Sequence, residues 1–240
     1  TKGSLSPLLY AMIVQNGGQL YEEDGKSILL LESKAQEAFI DFTTFFSDYG
    51  FAISASFANR FRSGEMPIGV TNYTLYNTLS VFAPEIRGQW EFANFPGYEI
   101  DGEIHNQTTS ISTGSIILAS TDEEEASWEF LKWWTGTEAQ TAYARGMEAI
   151  LGAAARYPTA NLEAFKNLPW STKDYLILTE QRNNSVGIPT VPGDYIIGRH
   201  IDNAFRVSIN EKTNPRENLF EYVKKINIEL ERKRQEFNLD

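Results

Sequence analysis

The chain reads as an α/β protein with helix in excess. Three observations carry that reading. Apolar residues recur at helical spacing between capping residues and glycines in several segments. Two short apolar runs, at residues 66–70 and 110–119, have the character of strands. Each of those runs leads into a helical stretch, the alternation expected of α/β architecture.

Ser6-Pro7 predicts a helix start, because serine caps well and proline fits the first turn; the helix runs to Gln15 and stops at Gly17-Gly18. Residues 27–31 read as a short strand. Ser33 and Gln36 have capping-box spacing ahead of Ala38, Phe39, Phe42, Phe45, Phe46 and Tyr49, one helical face closed by Gly50. Residues 53–63, with Phe57 and Phe61 one turn apart, read as a second short helix. A buried strand is expected over 66–70, with Thr71 capping a helix over 72–81 that Pro84 ends. Trp90 and Phe92 alternate with polar neighbours as strand residues do, Phe95-Pro96-Gly97 makes a turn, and 99–109 is a polar excursion.

The run 110–119 is the best second strand. Thr121 and Glu124 then form a capping box on a helix bearing Ala126, Phe130, Leu131, Trp133 and Trp134, closed by Gly136. Thr137 with Gln140 starts a helix that ends near Gly146, and 150–154 reads as a brief strand. Residues 171–182 are helical, 183–193 form a loop punctuated by glycine and proline, and 194–209 are helical again. Asn214-Pro215 with Glu217 opens the last helix, whose core stripe is Leu219, Val223, Ile226 and Leu230. No internal repeat or low-complexity tract is present, which sets arrays and linkers aside.

The totals narrow the function classes. A length of 240 residues is compatible with one generous core or two modest ones, and 42% hydrophobic with 22% charged residues is a folding composition. Aromatic residues make up 13%, enough to suggest ring-lined surfaces. A net charge of −11 argues against a nucleic-acid partner, since phosphate affinity needs clustered Lys and Arg. The one basic cluster, Arg232-Lys233-Arg234, complements the dipole at a helix tail. Without cysteine there is no disulfide or thiolate chemistry, and His105 and His200 stand apart, so neither a catalytic triad nor a histidine metal site is expected. No phosphate-cradling Gly-Lys loop or dinucleotide fingerprint calls for a cofactor. No run suits a membrane span, and no signal peptide is visible at Thr1, so a leader has been removed or the chain is an excerpt.

The segment 64–77, GEMPIGVTNYTLYN, is the most informative. It delivers Tyr73 and Tyr76 to the start of a helix, an arrangement that suits an uncharged, ring-shaped ligand: rings stack on ring faces and the helix start offers free NH groups. Three apart at a helix start, the two tyrosines read equally well as core residues. Asp122 to Glu125 invite a metal or acid–base reading, but acidic residues in a first helical turn are accounted for by the helix dipole.

Four landmarks, in order, carry a resemblance: Gly17-Gly18-Gln19-Leu20-Tyr21 with its acidic turn; the stretch from Phe61 through Gly64-Glu65 to Tyr76; the strand from Ser110 and the acidic helix ending in Phe130-Leu131-Lys132-Trp133-Trp134; and Leu151-Gly152-Ala153. In these the chain resembles the later part of bacterial extracellular solute-binding proteins of the maltose-binding type, which serve ABC importers. The resemblance implies a periplasmic-binding-protein-like (type II), helix-rich lobe, with ligand held in a cleft between two lobes. It assigns 1–88 and 158–240 to the C-terminal lobe and 89–157 to an excursion into the N-terminal lobe, most of which would be missing. An excursion carrying Trp128, Trp133 and Trp134 without its packing partners is expected to self-associate or rearrange.

Carried over residue by residue, the resemblance implies ligand contacts at Asn72, Tyr73 and Tyr76, at Tyr195 and Arg199, which match an aromatic-x-x-x-Arg pattern, and more weakly at Ser6 and Tyr10. Tyr195 follows Pro192-Gly193, where a ring serves equally as a loop anchor. The implied function is extracytoplasmic capture of a carbohydrate or similar neutral solute and its delivery to permease subunits, without catalysis, metal or cofactor. Membrane attachment would come only through a lipid anchor outside this chain. Two other classes stay open: a glycoside-processing enzyme, which needs two carboxylates facing one bond, although only Glu65 lies near the aromatic loop, and a protein-interaction domain using the Trp-rich face.

Overall fold

The computed structural model describes residues 5–239 and divides the chain into two compact units. The first comprises residues 5–54, 95–111 and 181–239; the second comprises 55–94 and 112–180. The lobe boundaries expected at 88 and 157 both fall inside the second unit.

The first unit is built on four helices, α1 (Pro7–Gln15), α2 (Ser33–Ser47), α9 (Ile197–Asn210) and α10 (Pro215–Glu236). Helix α1 starts as the sequence predicts, with the Ser6 hydroxyl accepting from the Leu9 NH. Helix α10 presents Leu219, Val223, Ile226 and Leu230 to the core, all buried, against Ile197, Ile201, Ala204 and Phe205 of α9. Phe205 also meets Phe42 and Phe46 of α2, with ring centroids 5.2 and 4.9 Å apart. Burying such apolar faces supplies the unit's main driving force.

Two small sheets lie beside these helices. Strands β1 (Tyr98–Ile100) and β2 (Glu103–His105) form a hairpin across Asp101-Gly102, both with positive φ (52° and 84°). That is the turn a two-residue hairpin favours, because its twist matches that of the strands. The polar excursion expected at 99–109 is therefore a hairpin followed by strand β3 (Thr108–Ser110), which pairs in parallel with β4 (Ser185–Gly187) inside the expected 183–193 loop. The strand expected at 27–31 reduces to a single bridge between Tyr21 and Ile28, where the Ile28 NH is taken up instead by the Asn227 side chain of α10.

Buried Gln15 ties α1 to the hairpin: its amide nitrogen donates to the Pro96 carbonyl at 3.1 Å and the Gln107 carbonyl at 2.7 Å, on either side of β1–β2. The Tyr98 hydroxyl donates to Asp41 of α2 at 2.7 Å.

The second unit contains α3 (Phe57–Arg62), α4 (Leu75–Phe82), α5 (Glu124–Thr135), α6 (Thr137–Leu151), α7 (Leu162–Lys166) and most of α8 (Thr172–Asn183), with no strand among its described residues. Of the strand expected at 110–119 only Ser110 lies in a strand, as the last residue of β3; residues 111–119 and the expected strand at 66–70 are irregular and largely exposed, and the strand character expected of Trp90 and Phe92 is absent too. A strand is stabilised by its ladder, and these apolar runs have none. Helix α6 passes through Gly146 and ends at Gly152 (φ 82°), replacing the strand expected at 150–154 with a helix end and a 3-10 turn. Neither capping box forms as spaced: the Ser33 hydroxyl turns to Glu37, and Thr121 accepts from the Glu123 NH. Helices α3 and α4 start later than the expected 53 and 72, at Phe57 and Leu75.

Polar ties compensate for a small core of Ala144, Phe165, Leu168 and Leu178. Gln140 of α6 donates to the Trp134 carbonyl and accepts from Thr159, both at 2.8 Å, while Asn161 caps α7 and donates to the Thr135 carbonyl.

Two outcomes test this account. Gln15→Leu leaves the Pro96 and Gln107 carbonyls unpaired, so chemical denaturation should show a loss of about 1–3 kcal/mol; an unchanged midpoint would contradict the role of the tie. The Tyr98 phenol is raised above its ordinary value near 10 by burial first and by its bond to Asp41 second, and Tyr21 is raised chiefly by burial. A phenol that the fold keeps neutral contributes stability fully below pH about 10 and loses it as pH rises further. Alkaline unfolding should therefore begin above pH about 10, and Tyr98→Phe should flatten that slope.

Candidate functional site

Tyr73 and Tyr76 are brought together by the turn that opens α4. The Asn72 and Tyr73 carbonyls accept from the NH groups of Leu75 and Tyr76, at 3.0 Å each, so the two rings enter the same aromatic cluster. Tyr76 stacks on Phe92 at 5.2 Å with an interplanar angle of 24°, and meets Trp90 at 5.4 Å and Trp170 at 5.5 Å. Tyr73 packs edge-on against Trp170 at 6.0 Å and Phe165 at 6.2 Å. Both tyrosines are half-buried, whereas Asn72 is exposed.

Beneath the rings lies a polar layer. Arg156 and Glu148 form a two-point ion pair, 2.9 and 2.7 Å, with side chains only 8% and 18% exposed. The Arg156 guanidinium also sits 4.5 Å from the centre of the Trp170 ring, a cation–π contact. Asn77 of α4 donates to the Arg156 carbonyl at 3.2 Å. Its own Oδ1 and the Trp170 indole NH are enclosed and have no hydrogen-bond partner among the described residues.

In the first unit, Gly193 (φ 97°) lays its backbone on α10, where an added Cβ would stand 3.3 Å from the Glu229 carbonyl and the Leu230 Cα. Tyr195 follows in a 3-10 turn, its ring largely exposed and its hydroxyl bonded to the Glu229 carboxylate. Arg199, one turn further on in α9, is exposed and forms no ion pair among the described residues. Ser6 is occupied in capping α1, and Tyr10 is buried among the core residues, where its ring helps line a groove of about 480 Å³ shared with Tyr21 and the acidic turn Glu22-Glu23-Asp24.

Trp90, Phe92, Phe165 and Trp170 were not among the expected site residues, although they make up the surroundings of Tyr73 and Tyr76. The high aromatic content signals such a cluster, but only the tertiary fold tells which rings join it. The described residues hold no group of three or more His, Asp or Glu side chains placed to bind a metal ion. No described helix is long and apolar enough to cross a membrane.

No family model and no curated protein matches the chain by sequence. Solved structures do. The sugar-binding protein MalE from Xanthomonas citri superposes with a TM-score of 0.77 at 13% identity, over 100% of this chain and 62% of its own. An ABC transporter solute-binding protein from Thermotoga lettingae, bound with α-D-tagatose, gives 0.69 at 16% identity, over 95% of this chain and 59% of its own. The maltose-maltodextrin binding protein of Alicyclobacillus acidocaldarius gives 0.62 at 16% identity, over 94% and 62%. The chain thus has the helix-rich α/β fold of these sugar-binding proteins, over about three-fifths of their length.

Proposed function

We propose that the chain is the solute-binding component of an ABC importer, capturing a carbohydrate or similar neutral solute outside the cytoplasm and delivering it unchanged to permease subunits. A lipid anchor beyond this chain would hold it at the membrane. The observation that carries this reading is the ring cluster around Tyr73 and Tyr76, set on a fold whose solved representatives include a tagatose-bound protein and MalE. Sugar rings present C–H faces to aromatic rings and hydroxyls to polar side chains: within the second unit Tyr73 and Tyr76 supply stacking surface and Asn72 hydrogen bonds, and within the first unit Tyr195 offers a ring and Arg199 a donor. Ser6 and Tyr10 already have structural tasks and are not included in the proposed set.

Maltotriose and D-tagatose serve as probes. A sugar at a hundredfold excess over its Kd should stabilise the fold by about 2.7 kcal/mol, seen as a rise in the unfolding midpoint, with no release of product from chromogenic glycosides. Tyr76→Ala should weaken binding about tenfold by calorimetry. Turnover of a glycoside would overturn the reading in favour of an enzyme.

A second observation supports association between copies of the chain. Helix α5 exposes Trp128, Phe130 and Trp133, and beside it residues 116–121 form the other wall of an open apolar groove of about 550 Å³. Size-exclusion chromatography with light scattering should show concentration-dependent oligomers that Trp133→Glu shifts toward monomer. A monomer at all concentrations would rule this out.

A further inference from the structure

We infer that Glu229 and Arg232 of α10 are positioning residues for Tyr195, locking its ring as a ready-made stacking platform. The inference rests on the sugar-binding reading proposed above. Tyr195 is 57% exposed, so its ring buries little and has little packing reason to hold one orientation. Its hydroxyl is nevertheless bonded to Glu229 Oε1, with Arg232 Nη2 a further 3.5 Å donor. Glu229 is in turn fixed from the other side: Arg232 Nε donates to Oε2 at 2.8 Å and Nη2 to Oε1 at 2.5 Å.

The backbone completes the arrangement. Because Gly193 lies flush on α10 at Glu229 and Leu230, the Tyr195 hydroxyl reaches the carboxylate over a two-residue lever. The hydrogen bonds from Arg232 and then Tyr195 hold the Glu229 carboxyl down to about 2, so the acceptor stays ionised throughout the neutral range. Glutamate and arginine cancel each other's charge, leaving an aromatic face beside a neutral pair, which suits an uncharged guest. An immobilised ring spares the guest the ordering cost of a free side chain, worth about two- to tenfold in affinity.

The test compares the wild type with Tyr195→Ala, Tyr195→Phe, Glu229→Ala and Glu229→Gln. Carbon-13 relaxation of the labelled Tyr195 ring in the free protein should show a rigid ring in the wild type and a mobile one in Glu229→Ala, with Glu229→Gln, which keeps an acceptor, restoring most of the rigidity. Equal mobility in wild type and Glu229→Ala would overturn the inference whatever the sugar result. In maltotriose calorimetry, Glu229→Ala and Tyr195→Phe should each lose about two- to tenfold, and the double variant no more than either alone. Loss in Tyr195→Ala with none in Glu229→Ala would overturn the positioning role and leave the sugar-binding reading intact. Native binding by Tyr195→Ala would overturn both the platform and the place of Tyr195 in that reading.

Discussion

Helix α10 is the frame on which the first unit depends. Its apolar stripe, Leu219, Val223, Ile226 and Leu230, is essentially fully buried, and at the value of a buried aliphatic side chain the four residues together outweigh any single polar contact in the unit. Once that face is fixed, the rest of the helix and its backbone become a set of attachment points. Asn227 takes the Ile28 NH, Arg234 donates to the Asp24 carbonyl, Gly193 rests against Leu230, and Glu229 takes the Tyr195 hydroxyl. The acidic turn after α1 and the loop before α9 are far apart in sequence. Both are held on one rigid element, and they also meet each other, Gly25 lying against Val191.

The second unit follows a different logic. Its core is small, and its order comes from side chains that satisfy backbone groups at helix ends and from the Arg156–Glu148 pair. A shielded ion pair of this kind is a weak source of net stability, because desolvating two charges offsets most of their attraction. What it does supply is geometry: two hydrogen bonds and a ring contact fix Arg156, and Arg156 fixes the seat of Trp170 against which Tyr73 and Tyr76 pack. Removing either charge would strand the other beneath the rings.

How far the sequence could be read depended on whether a signal was local. The start of α1 at Ser6-Pro7, the stripe of α10 and the aromatic face of α2 are set within one element, and all three are found. The Asp101-Gly102 turn is equally local, but the strands flanking it are only three residues each, too short for an alternating pattern to mark them. The strands expected at 66–70 and 110–119 are missing, Ser110 apart, for the opposite reason. Their composition suits a strand, but a strand exists only with a partner, and partnership is not written in the run itself. For the candidate site the same divide holds. Tyr73, Tyr76 and Tyr195 were visible from local spacing and from a family resemblance, whereas Trp90, Phe92 and Trp170 join the cluster through contacts across wide sequence separation. The Glu229 anchor of Tyr195, 34 positions away, had no local signal at all.

The carboxylate shielded beneath the rings, Glu148, is committed to Arg156. A glycoside-processing site holds two carboxyl groups facing one bond, each with lone pairs or a proton free for the reaction. Around the Tyr73 and Tyr76 cluster the nearby acids are otherwise engaged. Glu148 spends both oxygens on Arg156, Glu91 is paired with Lys173, and Glu65 accepts from the Ser63 hydroxyl at 3.1 Å with Arg60 at 3.9 Å. Opening the shielded Arg156–Glu148 pair would leave a buried charge without its partner, whereas the pairs of Glu91 and Glu65 lie at the solvent-exposed surface and hold their acids only weakly. Binding by stacking asks nothing of them: ring faces and neutral hydrogen-bonding groups hold a sugar without moving a proton, and the guest leaves as it came.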